Sequence, residues 1–384
     1  MNLGIDGDAP VGSVEIESVV LWRVHLPLLK PHSSAYGSTA IRDLILVECV
    51  SRGSSGRISG WGECPTFAES GYVTETTSQA WAALGDHLAP LLVSGQPLPD
   101  DDARATATPA ALGSLRDAAL DAGLRAEGTS LVEHLGAMTR PLGRTSVIAA
   151  VADGAVDGVA LRALAALEDG AELVKVKVTP ATDFAWLKDL AAVVEPGRLA
   201  IDANGSFGSA DIALKALRDI DSIGLRYIEE PFGPLGWDEL ARLIKELQTP
   251  VALDESVRRL GDIHGLVDVG CNVAVSIKPA KVAGVMAAAE MVAAASDAGL
   301  GIFVGGMVET AVGRRSALAL ASLPQCSIST DLGPSGSYFK ADVAEAVTLD
   351  GDGRISASLG PGFGPAPDLE HLTRAAVDRV EIAR

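Results

Sequence analysis

Apolar residues follow two rhythms along this chain. Between Val14 and about Pro90, the runs V-E-I-E-S-V-V-L-W-R-V and D-L-I-L-V-E-C-V predict strands, the first by its alternation. Between them P-H-S-S-A-Y-G-S-T is rich in turn formers and too polar for a core, and R-G-S-S-G-R-I-S-G-W-G-E-C is a second, glycine-rich stretch; both read as loops. Helical spacing takes over from Glu75 to Val93, and another helix is expected near Leu112–Arg125. Strands followed by helices make an α+β unit.

From about Thr145 short apolar runs alternate with alanine-rich helical stretches such as V-M-A-A-A-E-M-V-A-A-A-S-D-A. Eight runs are expected as strands: V-I-A-A-V-A (the first, Val147–Ala152), V-K-V-K-V, L-A-I-D-A-N, L-R-Y-I-E-E-P, V-A-L-D-E-S, V-A-V-S-I-K-P, G-I-F-V-G-G-M and C-S-I-S-T-D. That pattern predicts an α/β fold, a (β/α)8-type barrel beside the α+β domain. Towards the end, A-V-T-L-D-G-D-G-R-I-S predicts a hairpin and Leu369–Val377 a short helix. The D-G-D-G there reads as a tight turn, since the other positions of a calcium loop are missing. The expected organisation is a disordered leader over 1–12, the α+β domain over 13–144, the barrel over 145–340, and a tail over 341–384 that returns to the first domain.

The strand ends carry the chemistry. Lys177, Asp202, Glu229, Asp254 and Lys278 recur at intervals of about 25 residues, close to one βα unit each. Charged residues at the carboxyl ends of successive parallel strands mark a barrel active site. Strands two and six lie opposite each other in a ring of eight, so three carboxylates cluster between two lysines. Alternation puts Lys175 and Lys177 on one face, Asp202 with Asn204, and Ser276 with Lys278. Three neighbouring acids raise one another's pKa unless a cation joins them. All-oxygen ligation favours Mg²⁺, or Mn²⁺ as a substitute. Partial burial, the Lys175 ammonium and such a cation all favour the neutral form of Lys177. That makes Lys177 the candidate general base, acting on carbon α to a carboxylate. Lys278 is placed to protonate the other face or to stay charged. Glu230 should point away from Glu229 and be structural. Six histidines show no H-x-H, and His264 falls where a helix is expected.

Composition narrows the partners. With 384 residues and a net charge of −19, a nucleic acid or an anionic membrane would repel the chain. No run of about 20 apolar residues predicts a membrane span, and the start lacks the features of a signal peptide. Cys49, Cys64, Cys271 and Cys326 show no metal spacing and read as reduced thiols of a cytoplasmic protein. A small carboxylate is the expected partner, with homo-oligomers possible for barrels of this kind.

The series K-x-K, D-x-N, E, D and K resembles the enolase superfamily, specifically its muconate-lactonizing subgroup. Within it, G-G-M-V-E-T-A-V-G-R and S-T-D-L-G-P-S-G-S-Y-F resemble the family of o-succinylbenzoate synthase and N-succinylamino acid racemase. The usual E-T-G of that family reads Glu309-Thr310-Ala311 here. The resemblance implies that the front of the chain is a capping domain whose loops P-H-S-S-A-Y-G-S-T and G-W-G-E-C close over substrate. It implies Lys177 as base, Lys278 as the opposite lysine, Asp202, Glu229 and Asp254 as Mg²⁺ ligands, and Lys175 and Asn204 in support. Ser34, Tyr36, Gly305, Gly306, Met307 and Glu309 become candidate substrate contacts. The implied reaction is syn dehydration of 2-succinyl-6-hydroxy-2,4-cyclohexadiene-1-carboxylate to o-succinylbenzoate, a lyase step of menaquinone synthesis. N-succinylamino acid racemisation is the main alternative, followed by dipeptide epimerisation and muconate-type cycloisomerisation. A non-catalytic binding barrel is remote, because the polar series is intact.

Overall fold

The computed structural model describes residues 14–34, 37–53, 56–99, 108–149, 156–233, 237–267, 269 and 272–384. The first three strands, β1 (Ile16–Ser34), β2 (Gly37–Gly53) and β3 (Gly56–Cys64), form an antiparallel sheet. Of the two polar stretches read as loops, residues 31–34 end β1 and 37–39 begin β2, while 52–53 end β2 and 56–64 are β3 itself; residues 35–36 and 54–55 lie outside the described ones. His32 pairs with Thr39 and Ser34 with Gly37, beyond a register shift that spans Pro27 to His32. Ladder bonds tolerate a polar sequence where the strand ends line a cavity rather than a core, and Pro27 and Pro31 explain the break because neither has an N–H to give.

The sheet packs one face on helices. Thr76 caps the Thr77–Ala83 helix reciprocally with Gln79. A wider turn over Leu84–Leu88 leads into Ala89–Val93, so the helical stretch expected from Glu75 to Val93 is present in three pieces. Val19, Leu21, Ile45 and Val47 share a core with Ala80, Leu112 and Leu115. The Pro109–Glu127 helix lies so close to β3 that a Cβ on Gly60 would fall 2.1 Å from the Ala122 nitrogen. Only glycine allows that approach.

The second sheet is parallel and curled, with β4 (Thr145–Ala149), β5 (Leu173–Lys177), β6 (Leu199–Asp202), β7 (Ile228–Glu229), β8 (Val251–Leu253), β9 (Val273–Ile277) and β10 (Gly301–Val304) in chain order. The first of these begins two residues before the expected Val147, and residues 150–152 of that expectation lie outside the described ones. C-S-I-S-T-D is not a full eighth strand, but it fills the eighth place. Ile328 and Asp331 donate to the carbonyls of Ile302 and Val304 on one side, while Thr145 donates to Thr330 on the other.

Alternation builds the interior. Leu173, Ala200, Tyr227, Ala252, Ala274 and Phe303 face inward as a floor, with Tyr227 and Phe303 stacked at 5.2 Å. Val174, Val176, Ile201, Val251 and Val275 face the helix layer. The next inward positions above the floor are the charged ones.

The tail turns tightly at Asp350, whose carboxylate accepts from Asp352 and Arg354 N–H. The last helix, Leu369–Ala375, stops before the expected Val377, and the chain becomes β11 (Ala376–Ala383), antiparallel beside β1. The pattern of charges on both faces of V-D-R-V-E-I had hidden that strand. Cys49, Cys64 and Cys326 are buried free thiols, and Cys271 lies outside the described residues. No helix among the described residues is long and apolar enough to cross a membrane.

Candidate active site

A cavity of about 310 Å³ opens at the carboxyl ends of the barrel strands, roofed by the first sheet. Lys175, Lys177, Asp202, Asn204, Glu229, Asp254 and Lys278 all line it. The sequence-predicted series thus converges, and its ion pairs alternate around the ring. Lys177 Nζ donates to Asp202 Oδ2 at 2.8 Å and to Asn204 Oδ1 at 2.6 Å. Lys175 Nζ donates to Glu229 Oε2 at 2.6 Å and to Asp331 Oδ2. Lys278 Nζ donates to Asp254 Oδ2 at 2.7 Å.

Burial and pairing compete at each group. For Asp202, burial opposes the charge, yet Lys177 and Lys175 hold its carboxyl below the usual range. Asp254 is held well below that range by Lys278 and Lys281, again against burial. Glu229 goes the other way: burial, with Asp202 and Asp331 beside it, outweighs Lys175 and raises it well above. Burial opposes the charge of Lys175 and Lys278 too, but Asp331 and Glu229 for the first, and Asp254 and Glu229 for the second, hold both above the ordinary lysine value.

The donor set tests for a cation. Asp202, Glu229 and Asp254 are buried oxygen donors, and Asp331 Oδ1 beside them is buried without a hydrogen-bond partner. Burial first, and then the neighbouring Asp202, Asp331 and Asp254, disfavour the charge on Glu229, and a hard divalent ion would favour it. Oxygen-only donors suit Mg²⁺ or Mn²⁺, so the residues fit. Each carboxylate now turns to an ammonium, and no three such groups form a ready cage among the described residues. A cation therefore competes with the lysines for these oxygens.

Several contributors were not visible in the sequence. Tyr72, from the loop after β3, donates to Asp254 Oδ2 at 2.5 Å and accepts from Lys278, whose Nζ lies 4.7 Å over its ring. Lys281 Nζ donates to Asp254 Oδ1 at 2.7 Å, a second ammonium on that acid. Arg42 of β2 is fully buried and bridges the two domains. It donates to the carbonyls of Pro65 (2.7 Å) and Thr66 (3.0 Å) and to those of Met307 (3.3 Å) and Val308 (3.2 Å). Val308 has a φ of 58°, an uncommon conformation for a β-branched residue, and Arg42 holds the turn that contains it. His32 also lines the cavity, its imidazole pushed down to about 4 by burial and by Lys177, Arg42 and Lys278. The G-Y, R-D and P-H dipeptides at Tyr72, Arg42 and His32 carry no spacing signal; only the approach of the first domain to the barrel brings those three to the site.

The candidate substrate contacts divide. Gly306 and Met307 line the cavity, whereas Gly305 and Glu309 border a smaller cleft beside it. A Cβ at Gly305 would sit 2.4 Å from Lys278 Cε, so a larger residue there would displace that lysine. Glu309 is turned away from the cavity by two bonds, accepting from Met307 N at 2.5 Å and pairing with Arg314 at 3.4 Å. The backbone of Ser34 pairs with Gly37; its side chain, and all of Tyr36, lie outside the described residues. Glu230 accepts from Asp254 N at 2.9 Å and from Ser256, a structural brace between strand ends. His264 sits in the Leu260–Leu266 helix, away from the cavity.

Comparison with known proteins agrees with this geometry. The Enolase C-terminal domain-like family model matches residues 158–371. An N-succinylamino acid racemase from Amycolatopsis sp. is 32% identical over 96% of this chain and 100% of its own. The o-succinylbenzoate synthase of Bacillus subtilis is 29% identical over 91% of this chain and 94% of its own. A solved structure of an enolase superfamily member from Listeria innocua superposes with a TM-score of 0.87 at 26% identity, covering 96% of this chain and 99% of that one. Strand-end acids between two lysines, a capping sheet and these likenesses together mean that the chain belongs to the enolase superfamily, among relatives named o-succinylbenzoate synthase and N-succinylamino acid racemase.

Proposed function

We propose that the protein is a Mg²⁺-dependent o-succinylbenzoate synthase, a cytoplasmic lyase that dehydrates 2-succinyl-6-hydroxy-2,4-cyclohexadiene-1-carboxylate in menaquinone synthesis. The observation that carries the reading is the pair of lysines facing each other across Asp202, Glu229 and Asp254 in a cavity of about 310 Å³. A lysine base beside a divalent ion that stabilises an enediolate is the established pattern of this superfamily.

Lys177 is the base. Asp202 and Asn204 hold its nitrogen from one side, which fixes the direction from which it removes the proton α to the substrate carboxylate. The same nitrogen then returns that proton to the departing hydroxyl on the same face, so the net loss is one water. Lys278 stays protonated between Asp254 and Tyr72 and stabilises the forming ring from the opposite face. Tyr72 and Phe67, brought in by the first domain, exclude water from that end. Asp202, Glu229 and Asp254 would hold Mg²⁺, which when bound would supply charge stabilisation to a substrate carboxylate.

The relative that is 32% identical favours a second reading, racemisation of an N-succinylamino acid. There Lys177 and Lys278 exchange one proton at opposite faces of the same carbon. One pair of assays separates the two. The purified protein and Mg²⁺ are given the cyclohexadiene substrate, and the diene absorbance is followed with and without a chelator. In parallel, an enantiomerically pure N-succinylamino acid is followed by polarimetry in D₂O. Rapid, chelator-sensitive loss of the diene with slow or absent racemisation is the expected result. Racemisation alone transfers the assignment to the second reading, and inactivity in both refutes the two together.

A further inference from the structure

The antiparallel sheet ends in a strand that is paired on one side only. β11 pairs with β1 from Ser18↔Ala383 to Val24↔Ala376. It is the terminal strand of the order β11-β1-β2-β3, with no strand paired on its outer side among the described residues. An unprotected edge offers alternate N–H and C=O groups to another strand. This one runs for eight residues, and its side chains from Val377 to Glu381 are exposed. Val377 and Val380 are 53% and 39% exposed.

Charges on an edge normally repel a second strand, but here they carry both signs: Asp378, Arg379 and Glu381. Arg379 and Glu381 stand on the same face. Arg379 Nη2 donates to Glu381 Oε2 at 3.1 Å, and its guanidinium lies 4.8 Å over the Trp22 ring. Trp22 thus holds the arginine upright on the sheet, while both charged side chains remain 45% exposed.

We propose that β11 is an interface with a second copy of this chain, which adds its own β11 in antiparallel register about a twofold axis through Val380. Such an axis stands normal to the sheet and keeps every side chain on its own face, so it must pass through a residue. Placed on Asp378, Arg379 or Glu381, it sets a charge against its own copy. On Val380 it sets Arg379 opposite Glu381 of the second copy, and Glu381 opposite Arg379, while the two Val380 side chains meet. Opposite charges directly across a ladder stabilise it and like charges oppose it. Two four-stranded sheets then become one sheet of eight strands. The contact uses the Ser18–Val24 end of β1, whereas His32, near the other end, lines the cavity. Pairing therefore leaves the active site untouched, and the inference does not depend on which reaction the site performs.

The test is self-association of the full chain by sedimentation equilibrium. Wild type is expected to associate in pairs. Arg379→Glu and Glu381→Arg, each alone, should weaken association about tenfold or more, because every cross-strand charge pair becomes repulsive. An equimolar mixture of the two variants should recover a heterodimer, since one then carries two acids on this face and the other two arginines. That recovery cannot arise from a within-chain effect, and unchanged thermal melting of each variant confirms folding. A wild type that stays monomeric overturns the proposal, as do single variants that associate like wild type or a mixture that does not associate.

Discussion

Lys177 Nζ is held by barrel side chains, whereas Lys278 Nζ is held in addition by Tyr72 of the other domain. Asp202 and Asn204, one strand away, hold Lys177, and its side chain keeps 20% exposure. Lys278 is down to 9%, lies beneath Tyr72 and shares Asp254 with Lys281. The two lysines occupy equivalent strand ends, yet one faces the space where substrate enters and the other is clamped. Equivalent positions in a repeating fold do not confer equivalent chemistry; the non-repeating domain decides it.

Removing each lysine tests that asymmetry most strongly. Lys177→Ala should lower turnover by about 10⁴-fold with melting little changed. Lys278→Ala should cost about 10²–10³-fold, the loss expected for an electrostatic partner. Equal losses in dehydration would mean that the clamp has no functional meaning. Kinetics with the diene substrate read both.

The link between domains comes next. Arg42→Met leaves four carbonyls without their buried donor, so stability should fall by about 3 kcal/mol or more. KM should rise as well, because the turn at Met307 and Val308 loosens. A variant that melts earlier but binds substrate normally would confine Arg42 to packing.

Tyr72→Phe is milder. It removes one hydrogen bond to Asp254 and keeps the ring over Lys278, so kcat/KM should drop about tenfold. A variant indistinguishable from wild type would show that the Lys278 end needs only the ring.

The smallest effect concerns the seam where β3 meets the barrel. Glu63 of β3 accepts from Thr310 N at 2.9 Å and from Gly313 N at 2.8 Å, capping the Ala311–Ala321 helix across the domain boundary. Burial, against those bonds, raises its carboxyl to about 7. A raised acid favours the fold while both states are protonated, and that contribution is lost as pH climbs from the ordinary glutamate value of about 4.3 towards 7. Glu63→Gln should abolish this loss, so its melting temperature should gain on wild type by a few degrees between pH 4.5 and 7. Parallel melting curves across that range would show that Glu63 does not titrate there.

Much of the barrel was legible because its rules are local and repeated. Each short apolar run ending in a charged residue marks a strand, and period-two alternation already assigns Leu173, Lys175 and Lys177 to the interior and Val174 and Val176 to the helices. The eighth place was harder: C-S-I-S-T-D makes too short a ladder to be a strand, yet its backbone bonds to both neighbours and so brings Asp331 to Lys175. β11 was illegible for a different reason, since only Ala376 and Ile382, near its two ends, pack against the cores, and the exposed residues between them carry no apolar alternation.

Strand order and side-chain period thus sufficed for the five ionisable residues of the series and for their arrangement around a ring. Their neighbours could not be read that way. Tyr72, Arg42 and His32 reach the site from loops and strand ends more than 100 residues before Lys177, through the docking of one sheet on the mouth of another. That docking depends on close packing, as where a Cβ on Gly113 would fall 2.5 Å from the Gly284 nitrogen, and on buried caps such as Glu63. Contacts of that kind exist only once both domains are folded, because no periodicity along the chain encodes the distance between residues that meet in space.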